Sequence, residues 1–134
     1  MAQVTAKPVK GQKFQLVADT GKHKIVSDQP LAAGGADGGP GPKDLVAAGL
    51  AACTIQTLLL VAPNKKWDIQ DMTVTVTITY PNGAKADPLF DELIEVQGNL
   101  TAAELDAIKR TAEKCPVYKL LFGTKSVTSR AVKK

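Results

Sequence analysis

Two cysteines, Cys53 and Cys115, are the side chains of this sequence best suited to redox chemistry. Cys53 lies in a long apolar run beside small residues, and Cys115 opens the segment CPVYKLL. A cysteine acts as a nucleophile through its thiolate, which depends on cationic or hydrogen-bonding partners. We therefore predict that these sulfurs form the functional centre. The alternative is that both are buried small side chains that only pack.

Other kinds of catalytic site find little support in the sequence. His23 is the only histidine and there is no CxxC motif, so the ligands for a zinc site are too few. His23 is expected at the surface, because it lies in a predicted strand among lysines. The carboxylates show no pairing motif, and no phosphate-binding glycine pattern followed by Lys-Ser/Thr occurs. We expect no metal and no cofactor.

The charge pattern does not favour nucleic acid as a partner. The net charge is +4 and the pI about 9.1, but the lysines are spread along the chain and the only arginines are Arg110 and Arg130. Aromatic residues make up 4% and do not interleave with basic ones. The first residues, MAQVTAKPVKGQKF, contain no apolar stretch typical of a signal peptide. We expect a cytoplasmic protein, where two cysteines are more typical of functional thiols than of a structural disulfide.

The apolar run over residues 42–62 predicts a long central helix. Pro42 suits the first helical position, Gly41 can cap it, and Asp44 falls in the first turn, where the helix dipole stabilises a carboxylate. Pro63 is expected to end the helix. A helix that is apolar almost all round is buried. The run is also long enough to raise the question of a membrane span, but its polar residues and lack of an aromatic belt favour a soluble core helix.

The remaining elements predict a single α+β domain over residues 1–134. Residues 1–11 look irregular, and a Gly/Pro-rich stretch over 30–42 is either a flexible connector or a loop that shapes a pocket. Thr101 and Glu104 have the spacing of a capping box at the start of a second helix that ends near Cys115. Strands are predicted over 12–18 and 23–28 as a hairpin, and then over 72–80, 89–97 and 126–132.

These motifs together resemble the OsmC/Ohr family of thiol peroxidases and related redox proteins. The resemblance rests on the run GGADGGPGPKDLVAAGLAACTIQTLLLVA, on Trp67, on the alternating strand MTVTVTITY and on EKCPVYKLL. It covers nearly the whole chain from Gly21 onward. The two cysteine motifs, PxxLxAAxLAAC and CPV, are specific in combination.

The resemblance implies an OsmC-like α+β fold and an intertwined homodimer, in which two central helices are wrapped by antiparallel sheets. It implies that Cys53 attacks a hydroperoxide substrate and becomes a sulfenic acid, which condenses with Cys115 as a disulfide. A dithiol reductant, often lipoyl-based in this family, then reduces the pair. The rival function is a non-catalytic, stress-related protein that binds an apolar small ligand at the dimer interface.

The acidic and basic partners of the first cysteine depart from the best-understood members of the family. Their glutamate ten residues before that cysteine is replaced here by Lys43, and Asp44 follows it. Asp44 is therefore the candidate for polarising the site. Their arginine from the N-terminal strands is also missing, because no arginine precedes Arg110.

Overall fold

The computed structural model describes residues 2–134, which form a mixture of strands and helices. It divides into two compact units, Met1–Ala48 and Gly49–Lys134, each described here by itself. The α+β class is confirmed, whereas the expectation of one domain stays a prediction. In chain order the elements are β1 Thr5–Pro8, β2 Leu16–Asp19, β3 Lys24–Ser27, a 3-10 turn at Leu31–Ala33, α1 Pro42–Lys65, β4 Asp71–Thr79, β5 Leu89–Gln97, α2 Ala102–Ala112 and α3 Pro116–Leu121.

The first unit contains a three-stranded antiparallel sheet in the order β1-β2-β3. The predicted hairpin is confirmed as β2 and β3, with Leu16 opposite Ser27 in the register. The exposed His23 follows the turn that joins them and accepts a backbone hydrogen bond from Thr20 at 2.9 Å. The expectation of an irregular start was wrong at β1. Its exposed side chains carry no alternating apolar pattern, and β1 forms through backbone pairing with β2 alone.

The Gly/Pro-rich stretch is a folded loop held against the end of β3. The Asp28 carboxylate accepts backbone hydrogen bonds from Gln29 at 2.7 Å and from Gly38 at 3.0 Å. The bond from Gly38 is the main reason why the pKa of Asp28 is lowered. A Cβ on Gly39 would lie 2.4 Å from the carbonyl oxygen of Val26, so the close approach requires glycine. These contacts do not fit a flexible connector.

Helix α1 begins at Pro42 as expected but continues past its predicted end. Pro63 lies inside the helix, which ends at Lys65. Proline in a helix loses its own N–H donor and its ring crowds the carbonyl of the residue four before it, but its φ is helical, so the last two residues of the helix can still follow it. The chain leaves the helix at Lys66, whose φ of 56° is left-handed.

A two-stranded antiparallel sheet, β4 and β5, belongs to the second unit. The two strands pair over nine residues each, from Asp71 opposite Gln97 to Thr79 opposite Leu89. Exposed and partly buried residues alternate along both strands, which confirms the predicted period of two. One face of this sheet is therefore sheltered and the other faces solvent.

Helix α2 begins with the predicted capping box and ends earlier than expected. Thr101 and Glu104 exchange hydrogen bonds of 3.1 Å between side chain and backbone. The helix ends at Ala112, not near Cys115, which instead has an extended backbone before Pro116. Proline disfavours helical φ and ψ in the residue before it, so the chain breaks there and restarts as α3.

The predicted last strand is wrong, because residues 126–132 have no regular secondary structure. Val127 and Val132 are almost fully exposed. An alternating sequence forms a strand only when a neighbouring strand takes its backbone hydrogen bonds. No strand of the described residues 2–134 pairs with this segment.

The core of the second unit is built on one stripe of α1. Its members recur every fourth residue, as neighbours on one helix face must. Buried residues of α2 and Cys115 join them. By length and composition alone α1 would also pass as a membrane span, a test that core helices of soluble proteins pass too. The stripe consists of Leu50, Thr54, Leu58 and Ala62.

Candidate redox site

The two cysteines, far apart in sequence, meet in the second unit. Cys53 is partly buried near the middle of α1, while Cys115 is fully buried at the start of α3. Both are free thiols, and they lie near enough to each other for Cys53 to contribute to the raised pKa of Cys115. The fold therefore places a second sulfur within reach of the first.

Cys115 is held by the backbone that follows it. Its sulfur caps α3, accepting the backbone N–H of Tyr118 at 3.2 Å. Pro116 occupies the first position of that short helix, where a missing N–H costs nothing. The CPV segment thus fixes the direction of the Cys115 side chain by local geometry.

Thr54 connects Cys115 to an acidic residue of the sheet. Its hydroxyl oxygen lies 3.9 Å from the Cys115 sulfur. The same hydroxyl donates a short hydrogen bond to Oε1 of Glu92, on β5. Thr54 is fully buried, so this contact brings a carboxylate to the edge of the buried thiol.

Burial raises the pKa values of two groups in this cluster. For the Cys115 thiol, loss of water is the largest cause, and the nearby Cys53 thiol adds to it. The Tyr118 N–H and the Thr54 hydroxyl act in the opposite direction without reversing the shift. Burial likewise raises the pKa of Glu92, against the hydrogen bond from Thr54. Cys115 is therefore a protonated thiol at neutral pH.

An open cavity of about 850 Å³ lies beside this cluster. Glu92 lines it and so joins the cavity to the hydrogen bonds around Cys115. Most of the other lining is apolar, although Asp87 and Lys125 contribute charge. Apolar lining with a few placed polar groups is typical of small-molecule sites. The apolar lining includes Leu50, Phe90, Tyr118, Leu121 and Phe122.

Asp44 makes a local contact at the start of α1. Its carboxylate accepts the backbone N–H of Gly41 at 3.0 Å, as in a helix cap. Asp44 belongs to the first unit, whereas the cysteine cluster belongs to the second. Its predicted role in polarising the site stays a prediction.

Residues 2–134 contain no group of three or more His, Cys, Asp or Glu side chains that could hold a metal ion. Three protein ligands are the usual minimum for a catalytic zinc site. The cluster consists of two thiols, a hydroxyl and a carboxylate: these groups can pass protons to one another, and the two thiols can give two electrons to an external oxidant by forming a disulfide.

Sequence reasoning found both cysteines but missed Thr54 and Glu92 as members of the site. A signal for Glu92 was present in the alternation of β5. It shares the sheltered face with Phe90, Ile94 and Val96, where a charged residue is out of place. A carboxylate on an apolar face needs a polar partner. That partner could be identified only from the fold.

Comparison with known families identifies the family of this chain. A family model described as "OsmC-like protein" matches residues 34–130, well over half of the chain. The chain belongs to the OsmC-like family. The resemblance inferred from the cysteine motifs is confirmed, and since OsmC proteins are soluble, α1 is interpreted as a core helix.

Solved OsmC-like structures share the fold. An OsmC-like protein from Mycoplasma pneumoniae is 23% identical with a TM-score of 0.76, and the match covers 92% of this chain and 88% of that one. An organic hydroperoxide resistance protein OsmC from Legionella pneumophila is 25% identical with a TM-score of 0.64, covering 90% of each chain. The organic hydroperoxide resistance protein OhrB of Bacillus subtilis is 26% identical with a TM-score of 0.62, covering 92% and 91%. No curated protein sequence matches significantly.

Proposed function

We propose that this OsmC-like protein is a cysteine-based thiol peroxidase that reduces organic hydroperoxides. The observation that supports the proposal is the proximity of Cys53 and Cys115 in the second unit. Two neighbouring free thiols are the arrangement from which a disulfide can form. The names of the Legionella and Bacillus relatives, both organic hydroperoxide resistance proteins, point to the same class of substrate.

The reaction assigns a different task to each sulfur. The Cys53 thiolate attacks one peroxide oxygen, so an S–O bond forms while the O–O bond breaks, and the alcohol leaves after taking a proton. The Cys115 sulfur then attacks the Cys53 sulfenic acid, forming a disulfide and releasing water. An external dithiol, for which a lipoyl group is one candidate, reduces the disulfide by exchange. Asp44 is kept as a candidate for polarising the first step.

The partial exposure of Cys53 and the complete burial of Cys115 support this assignment. A peroxide must reach the attacking sulfur, whereas the resolving sulfur needs only to reach Cys53. The mostly apolar cavity that Glu92 lines lies next to the cluster, with neither sulfur in its lining, and supports an organic hydroperoxide rather than hydrogen peroxide as the substrate. The same cavity also fits the rival function, binding of an apolar ligand without turnover.

We expect one equivalent of tert-butyl hydroperoxide to convert the two free thiols of each chain into one Cys53–Cys115 disulfide. The physical reason is that the fold already places Cys115 near Cys53. Mass spectrometry of the digested, alkylated protein measures the product. A chain that keeps both thiols, or a Cys53 that passes directly to sulfinic acid, would contradict the proposal. Assays of peroxide consumption with a dithiol reductant, using tert-butyl hydroperoxide or hydrogen peroxide, test the substrate class.

We also propose that the protein works as a homodimer. Only 22% of the most apolar 18-residue window of α1 is buried within one chain. Leu59 and Leu60 are 58% and 75% exposed, although both lie in this apolar helix. Apolar surface of this kind is usually covered by another molecule. A second copy of α1 is the cover that the family resemblance implies.

Accordingly, we expect a dimer in solution at micromolar concentration. Burial of the exposed leucines contributes about 25 cal/mol per Å² of apolar area, so dissociation is expected to expose α1 and unfold the chain. Multi-angle light scattering measures the mass in solution. A melting temperature that rises with protein concentration would show that folding is coupled to dimer formation. A well-folded monomer of 14.1 kDa would rule this assembly out.

We assign the protein to the cytoplasm, with neither a membrane nor nucleic acid as partner.

A further inference from the structure

Glu92 is an acidic residue that the proposed peroxidase mechanism leaves without a role. It lies on the sheltered face of β5, opposite Val76 in the register, among apolar neighbours. Because Val76 is apolar, Glu92 has no charged partner at the opposite position of β4. A carboxylate in such a position is costly unless its oxygens are hydrogen-bonded. Its hydrogen bond is made by Thr54, the residue next to Cys53.

The hydrogen bonds around Thr54 run in one direction when Glu92 is ionised. An ionised carboxylate has no proton to donate, so the Thr54 hydroxyl donates to Glu92. A hydroxyl has one proton, which leaves the Thr54 oxygen to accept. The neighbour in position to donate is the Cys115 S–H, whose sulfur is 3.9 Å away. The Cys115 thiol then donates to the Thr54 hydroxyl, and the Thr54 hydroxyl donates to the Glu92 carboxylate.

This order matters because Cys115 must lose a proton to attack. Its burial keeps it protonated at neutral pH, since its pKa is raised. Burial also raises the pKa of Glu92 towards the working range of a general base. The titratable groups that share this environment are the two cysteines and, along the cavity, Asp87, Tyr118 and Lys125. The arrangement therefore places a base one hydroxyl away from the thiol that needs one.

We propose that Glu92 is a positioning and proton-accepting residue that deprotonates Cys115 through the Thr54 hydroxyl during disulfide formation. The inference rests on the proposed function. As the Cys115 sulfur attacks the Cys53 sulfenic acid, its proton moves to Thr54 and the Thr54 proton moves to Glu92. The S–O bond of the sulfenic acid breaks, the leaving hydroxide takes a proton from solvent water, and Glu92 releases the proton it accepted to solvent in the open cavity that it lines, so the net products are a disulfide and one water. Glu92 returns to its ionised form in the same cycle.

The test is Glu92→Gln, because a glutamine amide oxygen still accepts the Thr54 hydrogen bond but holds no additional proton. With limiting tert-butyl hydroperoxide, we expect formation of the Cys53 sulfenic acid at the rate of the unsubstituted protein. The later disulfide step should slow on the order of 100-fold at pH 7. In the unsubstituted protein that step should fall as pH drops below the raised pKa of Glu92. In Glu92→Gln that inflection should vanish.

A matched control is Glu95→Gln on the same strand. It removes the same charge from the exposed face of β5 and should leave the rate and pH profile unchanged. Thr54 gives a second, independent test, since Thr54→Val removes the relay hydroxyl and Thr54→Ser keeps it. The valine variant should be as slow as Glu92→Gln, and serine should restore the rate. An unchanged pH profile in Glu92→Gln or Thr54→Val would overturn the inference.

Oxidised glutathione separates this inference from the proposed function. It places a glutathione on Cys53 by thiol–disulfide exchange, and Cys115 then displaces it without any peroxide. The same slowing in Glu92→Gln is expected for this displacement. A protein that consumes no peroxide but shows this effect would refute the peroxidase and support the relay. A protein that consumes peroxide, and whose Glu92→Gln variant forms the disulfide at the normal rate, would support the peroxidase and refute the relay.

Discussion

Replacement of Cys53 by serine is expected to reduce hydroperoxide consumption to the rate measured without protein. The reason is chemical: the thiolate is the group that peroxides oxidise, and a serine hydroxyl is neither ionised at neutral pH nor able to accept an oxygen atom. Consumption of tert-butyl hydroperoxide, followed with a dithiol reductant, measures the effect. Because Cys53 is only partly buried, the hydroxyl can keep contact with water and the cost in stability should be small.

The control for this variant is its melting curve, which must show that the chain is folded. Loss of turnover with an unchanged melting temperature assigns the chemistry to Cys53. Equal single-turnover consumption by the folded Cys53→Ser variant and the unsubstituted protein would remove Cys53 from the mechanism. If the protein only binds an apolar ligand, neither the unsubstituted protein nor the Cys53→Ser variant should consume peroxide.

The Cys115→Ser variant is expected to fail in a different way. The attacking sulfur remains, so the protein should consume about one peroxide per chain and then stop as a sulfenic acid or become over-oxidised. Steady-state turnover should be lost, while the first turnover keeps its rate. Quenched-flow peroxide analysis gives the amplitude, and intact-mass spectrometry gives the added oxygen on Cys53.

The structure indicates that this variant will remain folded. The Cys115 sulfur caps α3 by accepting the Tyr118 N–H, and serine is among the residues that perform this task best. The buried hydroxyl can also donate to Thr54, so the cost is expected at the low end of about 1–3 kcal/mol for a buried polar group. Normal steady-state turnover in Cys115→Ser would show that another thiol resolves the sulfenic acid. That result would end the proposed division of tasks between the two cysteines.

The sequence by itself determined the elements that depend on local chemistry. The alternation of apolar and threonine residues predicted β4, and the range Leu89–Gln97 was predicted to the residue as β5. The capping box at Thr101 was predicted from spacing alone, and both of its hydrogen bonds between Thr101 and Glu104 are formed. Local backbone preferences and side-chain period act over a few residues, so a sequence displays them directly.

Other features depended on partners distant in the chain. The edge strand β1 exists because β2 takes its backbone hydrogen bonds, and residues 126–132 are irregular although their pattern is that of a strand. Pro63 is tolerated within α1, where local preference predicted an end. For β1 and for residues 126–132 the presence or absence of a neighbouring strand decided the outcome, and at Pro63 a position near the helix end made the proline tolerable.

The site divides in the same manner. The identities of Cys53 and Cys115 followed from two short motifs, since a motif carries residue types and spacing. The proximity of the two cysteines came from the fold, as did the contacts of Thr54 with Glu92 and with Cys115, which join residues 38 and 61 positions apart. Only the tertiary structure decided these contacts, because burial and the direction of a buried hydrogen bond are properties of the space between elements. That space gives the thiol of Cys115 its raised pKa and brings it a carboxylate through a single hydroxyl.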